Sequence, residues 1–444
     1  MLLSLSGLHA FSMSGYMQIA QTNFPENTPF WEMLYYFHGN PPLLSILHHF
    51  AELAFGKEYF WFFDILLPIL HLGSCLFFKA ALENFKIKIH GFWLALLFLN
   101  PLIFIYFRYP FYACILFFLN SIFLFILSKR EEKPKAIYWL AGLLSIEALL
   151  RSSYSSFLLL AFLLWLLPNF NWKSTTWMLL IMMPPFLWQL KNHHLVGKFT
   201  SSTWIGMNLA RCHLPWHVHN DLVDFVAPFS LPNQYFEILK DEPRIKASLK
   251  EKNYYLSQNN LNHSAIPVIS DLYLESIKRN FSLSWSANSV INGFIILFKS
   301  PGNYEHLRNH LSKEGYGIFQ KWNLDFWEPI GFQDKRHPWY LFFKSMAWDP
   351  DFERLKAFKN ITIYTILYPF LLIWFGFKFR KLDKNLKAIY ILTLFFTLLY
   401  ASVDIFEANR MRMEYEVFFY FLLLRFISEK RTAKIQSTFK IHTA

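Results

Sequence analysis

Nine apolar runs, separated by short polar or basic segments, limit what this chain can fold into more than any other feature. They are Tyr59–Ala80, Gly91–Phe107, Phe111–Leu127, Ile137–Leu150, Ser155–Leu167, Thr176–Leu190, Ile361–Phe377, Leu386–Ser402 and Glu416–Ile427. A bilayer crossing needs about 20 residues of helix, so several of these runs must borrow flanking aromatic and polar residues to span. Ile137–Leu167 is too long for one crossing and carries Arg151 in its middle, where a charge at the bilayer centre would cost about 2.5–3.5 kcal/mol. The break therefore falls at Arg151, in the corner "RSSYSS". A chain with 51 phenylalanines among 444 residues and a mean hydropathy of +0.23 reads as a membrane protein.

The placement of charge tests this reading. The net charge is +12, and much of it lies in compact clusters between the runs: "KIKIH", "SKREEKPK", "KFRKLDKNLK" and the tail "SEKRTAK". With residues 12–58 on the outer side, nine crossings put every one of these clusters on the inner side, as the positive-inside rule asks. The same threading leaves Arg108, Arg151, the segment Lys191–Asn360 and "DIFEANRMR" outside. A further crossing at Ser289–Phe298, "SVINGFIILF", would reverse the parity, so that stretch reads as an interfacial or re-entrant element. The opening "MLLSLSGLHAF" is too short for a span and lacks the basic start of a signal peptide. The expected fold class is therefore all-α: a polytopic helix bundle with a large extracytoplasmic cap. It divides into an N-terminal membrane block (1–190), the cap (191–358) and a C-terminal membrane block with a basic cytoplasmic tail (359–444). Charge gathered between apolar runs excludes a nucleic-acid partner.

Four polar corners share the outer side: "TNFPENTPFWEMLYYFHGNPPL", "FRYPFY", "EALLRSSYSS" and "EANRMRMEYE". Asp64 joins them near the outer end of its run. Pro41 and Pro42 remove two backbone donors and set a hinge just before an apolar helix. "HGNPPL", "ALLRSSYSSFLLL", "LKNHHLVGKFTSSTWIGMNLA" and "EANRMRMEYEVFFYFLL" together resemble, in order and spacing, the GT-C superfamily of polyprenyl-phosphate-sugar-dependent glycosyltransferases, which includes protein O-mannosyltransferases and lipid A aminoarabinose transferases.

The resemblance implies a GT-C-like bundle that transfers a sugar from a polyprenyl-phosphate carrier to a lipid, glycan or protein acceptor on the outer face. An acid in the first outer loop would take the acceptor's proton, and basic side chains would hold the donor phosphate. Many members of that superfamily carry an Asp early in that loop, whereas this chain has none before Asp64, which leaves Glu32 first and Glu26 second as candidate bases. His38 stands beside them to orient a carboxylate or a substrate hydroxyl. Arg410 and Arg412, then Arg151 and Arg108, are the candidates for the phosphate, because guanidinium binds phosphate in bidentate fashion. Arg151 also stands four residues after Glu147, in the order that favours a helical ion pair. Asp64, Tyr109, Asn208, Glu407 and Asn409 complete the candidate cleft, and Ser201, Ser202 and Gly206 are read equally well as turn and packing residues.

No cofactor is expected beyond the lipid-linked donor. "RCHLPWHVHND" holds Cys212, His213, His217, His219 and Asp221, but its spacing fits no standard zinc pattern, and a divalent metal is not expected. Three cysteines give no disulfide framework; Cys75 and Cys114 fall in apolar runs, and Cys212 is the one expected in water. No phosphate-binding loop, serine-hydrolase elbow or zinc-peptidase motif occurs. Two other functions stay open: a transporter or flippase with Asp64, His71 and Glu147 along a polar path, and a non-catalytic partner on the same scaffold. The abundance of Phe, Lys, Ile and Asn resembles coding from an AT-rich bacterial genome, with the expected location the cytoplasmic membrane.

Overall fold

The computed structural model describes residues 29–98, 112–167, 171–213, 266–298, 363–403 and 408–442, and among them every regular element is helical. The helix α1 (Phe30–Tyr36) stops ahead of the proline corner, and α2 (Leu43–Phe55) starts directly after Pro42. There follow α3 (Phe60–Asn84), α4 (Gly91–Phe98), α5 (Tyr112–Ser128), α6 (Ala136–Leu150) and α7 (Ser156–Leu166). The run Thr176–Leu190 is split at Met182 into α8 (Trp172–Ile181) and α9 (Met183–Val196). Pro184 and Pro185 lack the N–H groups that would carry one helix through, but they suit the first turn of a new one. Asn171 caps α8 by accepting from the Lys173 N–H at 2.9 Å. After α10 (Ile205–His213), α11 (Ile266–Arg279) and α12 (Leu283–Leu297), the chain closes with α13 (Ile363–Lys378), α14 (Lys384–Val403) and α15 (Ala408–His442).

The helices run between two ends of different character. At one end the Asn84 amide donates to Ser128 at 2.9 Å, Arg130 to the Leu166 carbonyl at 2.6 Å, and Lys384 to the Leu167 carbonyl at 2.8 Å. Lys378 pairs with Glu429 there at 2.8 Å. The clusters around Lys86, Lys129–Lys135, Lys173 and Lys378–Lys387 thus sit at a single basic end. Lys and Arg heads on helix-terminal carbonyls also complement the helix dipoles. The opposite end holds the proline corner, the Arg151 break, the turn after α9 and the start of α15. Arg151 itself is extended, which stops α6 at Leu150.

Between the ends, α3 packs on α5 and α5 on α15, with Phe78, Phe117, Phe123, Phe418 and Tyr420 fully buried. The outward faces are apolar too. On α3, Trp61, Ile65, Ile69, Leu72 and Leu76 recur every three or four residues and are 58–62% exposed. Among the described residues two helices, Trp61–Asn84 within α3 and the whole of α14, have the length and composition to cross a membrane. The apolar helices α2, α5, α6 and α7 are shorter than a full crossing.

The last helix starts eight residues ahead of the expected run. "ANRMRMEY" forms its first turns, and from Met411 to Phe421 every side chain is buried. Arg412 and Glu414 look like a surface corner in sequence, but both are buried and meet partners far away in the chain. The stretch expected to be interfacial or re-entrant forms most of α12, which lodges against α14 and α15. Gly293 makes this possible: a Cβ there would lie 2.0 Å from the Ala401 carbonyl oxygen. Phe298, just beyond α12, packs edge-on against Phe419 at 5.7 Å, so the α12 terminus reaches well into the bundle. Gly293→Val should destabilise the fold by about 2 kcal/mol or more through overpacking, read as a lowered thermal midpoint in detergent, while Asn280→Ala at the exposed end of the preceding turn should leave the midpoint unchanged.

Candidate functional site

Three of the expected corners are stitched together at the polar end. Gly197, at φ +72°, closes α9 in the left-handed region and turns the chain into "KFTSSTW". That turn then binds the proline corner across 165 residues of sequence: His38 Nδ1 and Thr203 Oγ1 are 2.9 Å apart, and the Thr203 N–H donates to the His38 carbonyl at 3.3 Å. The Ser202 hydroxyl donates to the Gly39 carbonyl, and Ser201 reaches the Ser152 carbonyl at 3.5 Å. The chain around Phe37–Asn40 has no helical or sheet partner for its carbonyls, and these short side chains supply the donors. Lys191 completes the latch. Its ammonium donates to the Phe37 carbonyl and lies 3.2 Å from the centroid of the Trp188 ring. Burial beyond the end of the Thr176–Leu190 run pulls its pKa down from 10.5 to about 7.

Behind the latch lies a buried charged cluster. Arg151 Nε stands 3.2 Å from a carboxylate oxygen of Glu414, and its guanidinium carbon lies 5.0 Å from the Tyr112 ring centroid. The other Glu414 oxygen accepts from the Tyr400 hydroxyl, which is itself 2.8 Å from the Ser153 hydroxyl. Asn120 spans the gap between helices, donating to the Tyr154 hydroxyl at 2.9 Å and to the Glu414 carbonyl at 2.6 Å. The expected Glu147–Arg151 helical pair does not form. Its geometry requires the helix to continue through Arg151, whereas the extended backbone there turns the side chain toward α15. Glu147 is fully buried, and neither of its carboxylate oxygens has a hydrogen-bond partner among the described residues.

One turn along α15 a second pair forms. Arg412 Nε is 2.8 Å from Glu416, and the Tyr368 hydroxyl donates to the same carboxylate. Arg412 also donates to the Leu297 carbonyl at 2.9 Å, which satisfies the last turn of α12 inside the bundle. Arg412 is completely buried. Among the described residues it fastens α12 and α15 together, with its side chain enclosed rather than at the surface expected of a phosphate ligand.

The other candidates fall as follows. Glu32 is half-buried in the first turn of α1, at the polar end, and α1 rests on α2 through Phe30 stacked on His49 at 3.7 Å. Asp64 is half-buried in the second turn of α3. Asn409 and Arg410 occupy the first turn of α15. Asn208 is half-buried on α10, whose neighbour Gly206 touches α11 so closely that a Cβ would lie 1.9 Å from the Ser270 carbonyl oxygen. Helix packing therefore accounts for the Gly206 position. Glu26, Arg108, Tyr109 and Glu407 lie outside the described residues, as do His217, His219 and Asp221. Cys212 is buried, not in water, because α10 docks on α14, with the His213 ring 3.0 Å from the Ser402 carbonyl. Among the described residues no group of three metal-ligating side chains occurs.

Sequence reasoning missed Glu414, Glu416, Tyr368, Tyr400 and Asn120: alternating charges set against an apolar stretch were a signal for the two acids, and nothing local marked the other three. Comparison of the chain with protein-family models, with characterised proteins and with solved structures gave no match.

Two measurements check this geometry. Breaking the buried pair from one side, with Arg412→Met or Glu416→Leu alone, should cost about 3–5 kcal/mol, whereas the double substitution should recover much of that loss. Lys191 has a depressed folded pKa, so the unfolded chain binds its proton more readily. Its contribution should make stability rise with pH from about 7 toward the usual lysine value near 10.5, and Lys191→Met should remove that rise from a pH series of unfolding midpoints.

Proposed function

We propose that this protein is a multi-pass membrane glycosyltransferase that takes a sugar from a polyprenyl-phosphate carrier and passes it to a lipid, glycan or protein acceptor at the polar end of the bundle. The observation that carries this reading is the convergence at that end of "HGN", "RSSYSS", "KFTSST" and the start of α15, joined by His38–Thr203, Ser201–Ser152 and Arg151–Glu414. Those are the four stretches on which the resemblance to the GT-C superfamily rests. The apolar outer face of α3 suits lipid, and the basic clusters gathered at the opposite end suit a cytoplasmic surface. The cytoplasmic membrane of a bacterium, with the C-terminus inside, is the location this reading implies.

The roles follow from position. Glu32 is the general base, carried on the short helix that leads into the proline corner. Arg151 is the phosphate ligand, because its guanidinium lies at the polar end and keeps 12% of its side chain exposed, whereas Arg412 is sealed. Arg410 supports it from the first turn of α15. His38 and Lys191 hold the corner that positions the loop. Asp64 and Asn208 belong to the same end.

A second reading, a transporter or flippase for a lipid-linked substrate, is favoured by one feature alone, the buried Glu147 with no hydrogen-bond partner among the described residues. A screen of polyprenyl-phosphate sugars against the reconstituted protein separates the two. On the enzymatic reading, Glu32→Gln should lower kcat by about 10²–10⁴-fold. Arg151→Ala should raise the KM for the lipid donor on the order of tenfold or more, with Arg410→Ala weaker in the same direction. Sugar translocated without transfer, or turnover untouched by Glu32→Gln and Arg151→Ala alike, would overturn this assignment.

A further inference from the structure

At the basic end, α13 and α15 form a surface that no candidate site residue occupies. Ile366, Phe370, Ile373 and Phe377 recur every three or four residues along α13, so they share one face, and all four are exposed. The other side of α13 is given to packing, with Tyr368, Leu371 and Phe375 fully buried. The exposed face runs on to α15, because Phe426 lies edge-on to Phe370 at 5.5 Å and to Trp374 at 5.3 Å. Phe377, 88% exposed, stands one position before Lys378.

Positive charge gathers where this apolar face ends. The Lys378 and Lys430 ammonium groups each stand 4.6 Å from the centroid of the Trp374 ring, and Lys430 lies 5.7 Å from that of Phe426. Lys378 meets one oxygen of Glu429 at 2.8 Å, and Arg425 meets the other at 3.2 Å. Glu429 is thus shared by two cations, and Lys430 draws on ring faces instead. Arg380, Lys381 and Arg431 follow at exposed positions. An ammonium resting on an aromatic face keeps N–H donors for a second partner.

We propose that this surface binds one anionic phospholipid of the inner leaflet, its phosphate between Lys378 and Lys430 and an acyl chain along Phe370, Ile373 and Phe377. The inference rests on the bilayer placement proposed above and is independent of the transfer reaction, its donor and its acceptor. Both parts of the ligand find their chemistry. Apolar side chains at lipid depth with basic heads just beyond them are how a helix pair meets headgroups. The two ammonium groups stand close enough for one headgroup to meet both, and its negative charge offsets their mutual repulsion. A zwitterionic lipid brings a cation of its own to a spot where Lys378, Arg425 and Lys430 already outnumber Glu429, so charge selects against it. An acidic peptide would satisfy the cations and leave the apolar face beside them unmatched.

The test is native mass spectrometry of the full chain in detergent, titrated with phosphatidylglycerol and, separately, with phosphatidylcholine of the same acyl chains. One phosphatidylglycerol should be retained at concentrations where phosphatidylcholine is lost. Glycerol 3-phosphate, which carries charge without chains, should neither bind nor displace it. Lys430→Gln should weaken retention about fivefold, the loss expected for one basic side chain at a headgroup, and Lys430→Arg should preserve it. Phe377→Gln, a change away from every ion pair named here, should weaken retention too. Lys173→Gln, at the same end but on α8, should change nothing. Equal losses from Lys173→Gln and Lys430→Gln would replace this site with diffuse attraction to the whole basic end. Full affinity in Lys430→Gln, or equal retention of phosphatidylcholine, overturns the assignment and leaves the glycosyltransferase reading in place. A chain that stays monodisperse in water without detergent or lipid removes the bilayer placement, and this site with it.

Discussion

The fold depends on buried pairing between guanidinium and carboxylate along the first turns of α15. Arg412, Glu414 and Glu416 sit in a stretch where every side chain is buried, and isolated charges there would cost several kcal/mol each. They are tolerated because each has a partner from a different part of the chain. Arg151 comes from the break after α6, Tyr400 from α14, Tyr368 from α13 and the Leu297 carbonyl from the end of α12. Apolar surface alone would let these helices slide or rotate past one another. Charged hydrogen bonds with fixed directions set their register.

The same pairing positions the candidate site. Because Glu414 holds Arg151, the "RSSYSS" corner is drawn to the head of α15, and Ser153 meets Tyr400. Ser152 in turn meets Ser201, so the latch between "KFTSST" and "HGN" is continuous with the charged cluster. Side chains brought together from residues 38, 151, 203 and 414 therefore act on one end of the molecule. Precision at such a site comes from supporting hydrogen bonds rather than from the loops themselves.

Much of the helical layout was legible in the sequence. Apolar runs marked the helices, Arg151 marked a break, and the basic clusters identified segments that share an end, because hydropathy and charge act locally and leave a local trace. The pairings were not legible. "ANRMRMEYE" scores as a polar corner when each residue is weighed alone, and its burial depends on Arg151 and Tyr368, far away in the chain. Cys212 was misplaced for the same reason: its neighbourhood is polar in sequence, but α10 docks on α14. His38 carried a visible signal as a polar residue before two prolines, yet nothing local announced Thr203 as its partner. Gly293 looked like any glycine in an apolar stretch, and its close approach to Ala401 appears only once α12 lies against α14.

The carbonyl of Leu297 has a consequence for biogenesis. It is made more than a hundred residues before Arg412, the side chain that accommodates it in the interior. During synthesis α12 is made before both α14 and α15, the helices it packs on, so its seat is complete only when the last of them has been made. A chain stopped short of the last helix would hold α12 on α14 with its final carbonyl still unsatisfied.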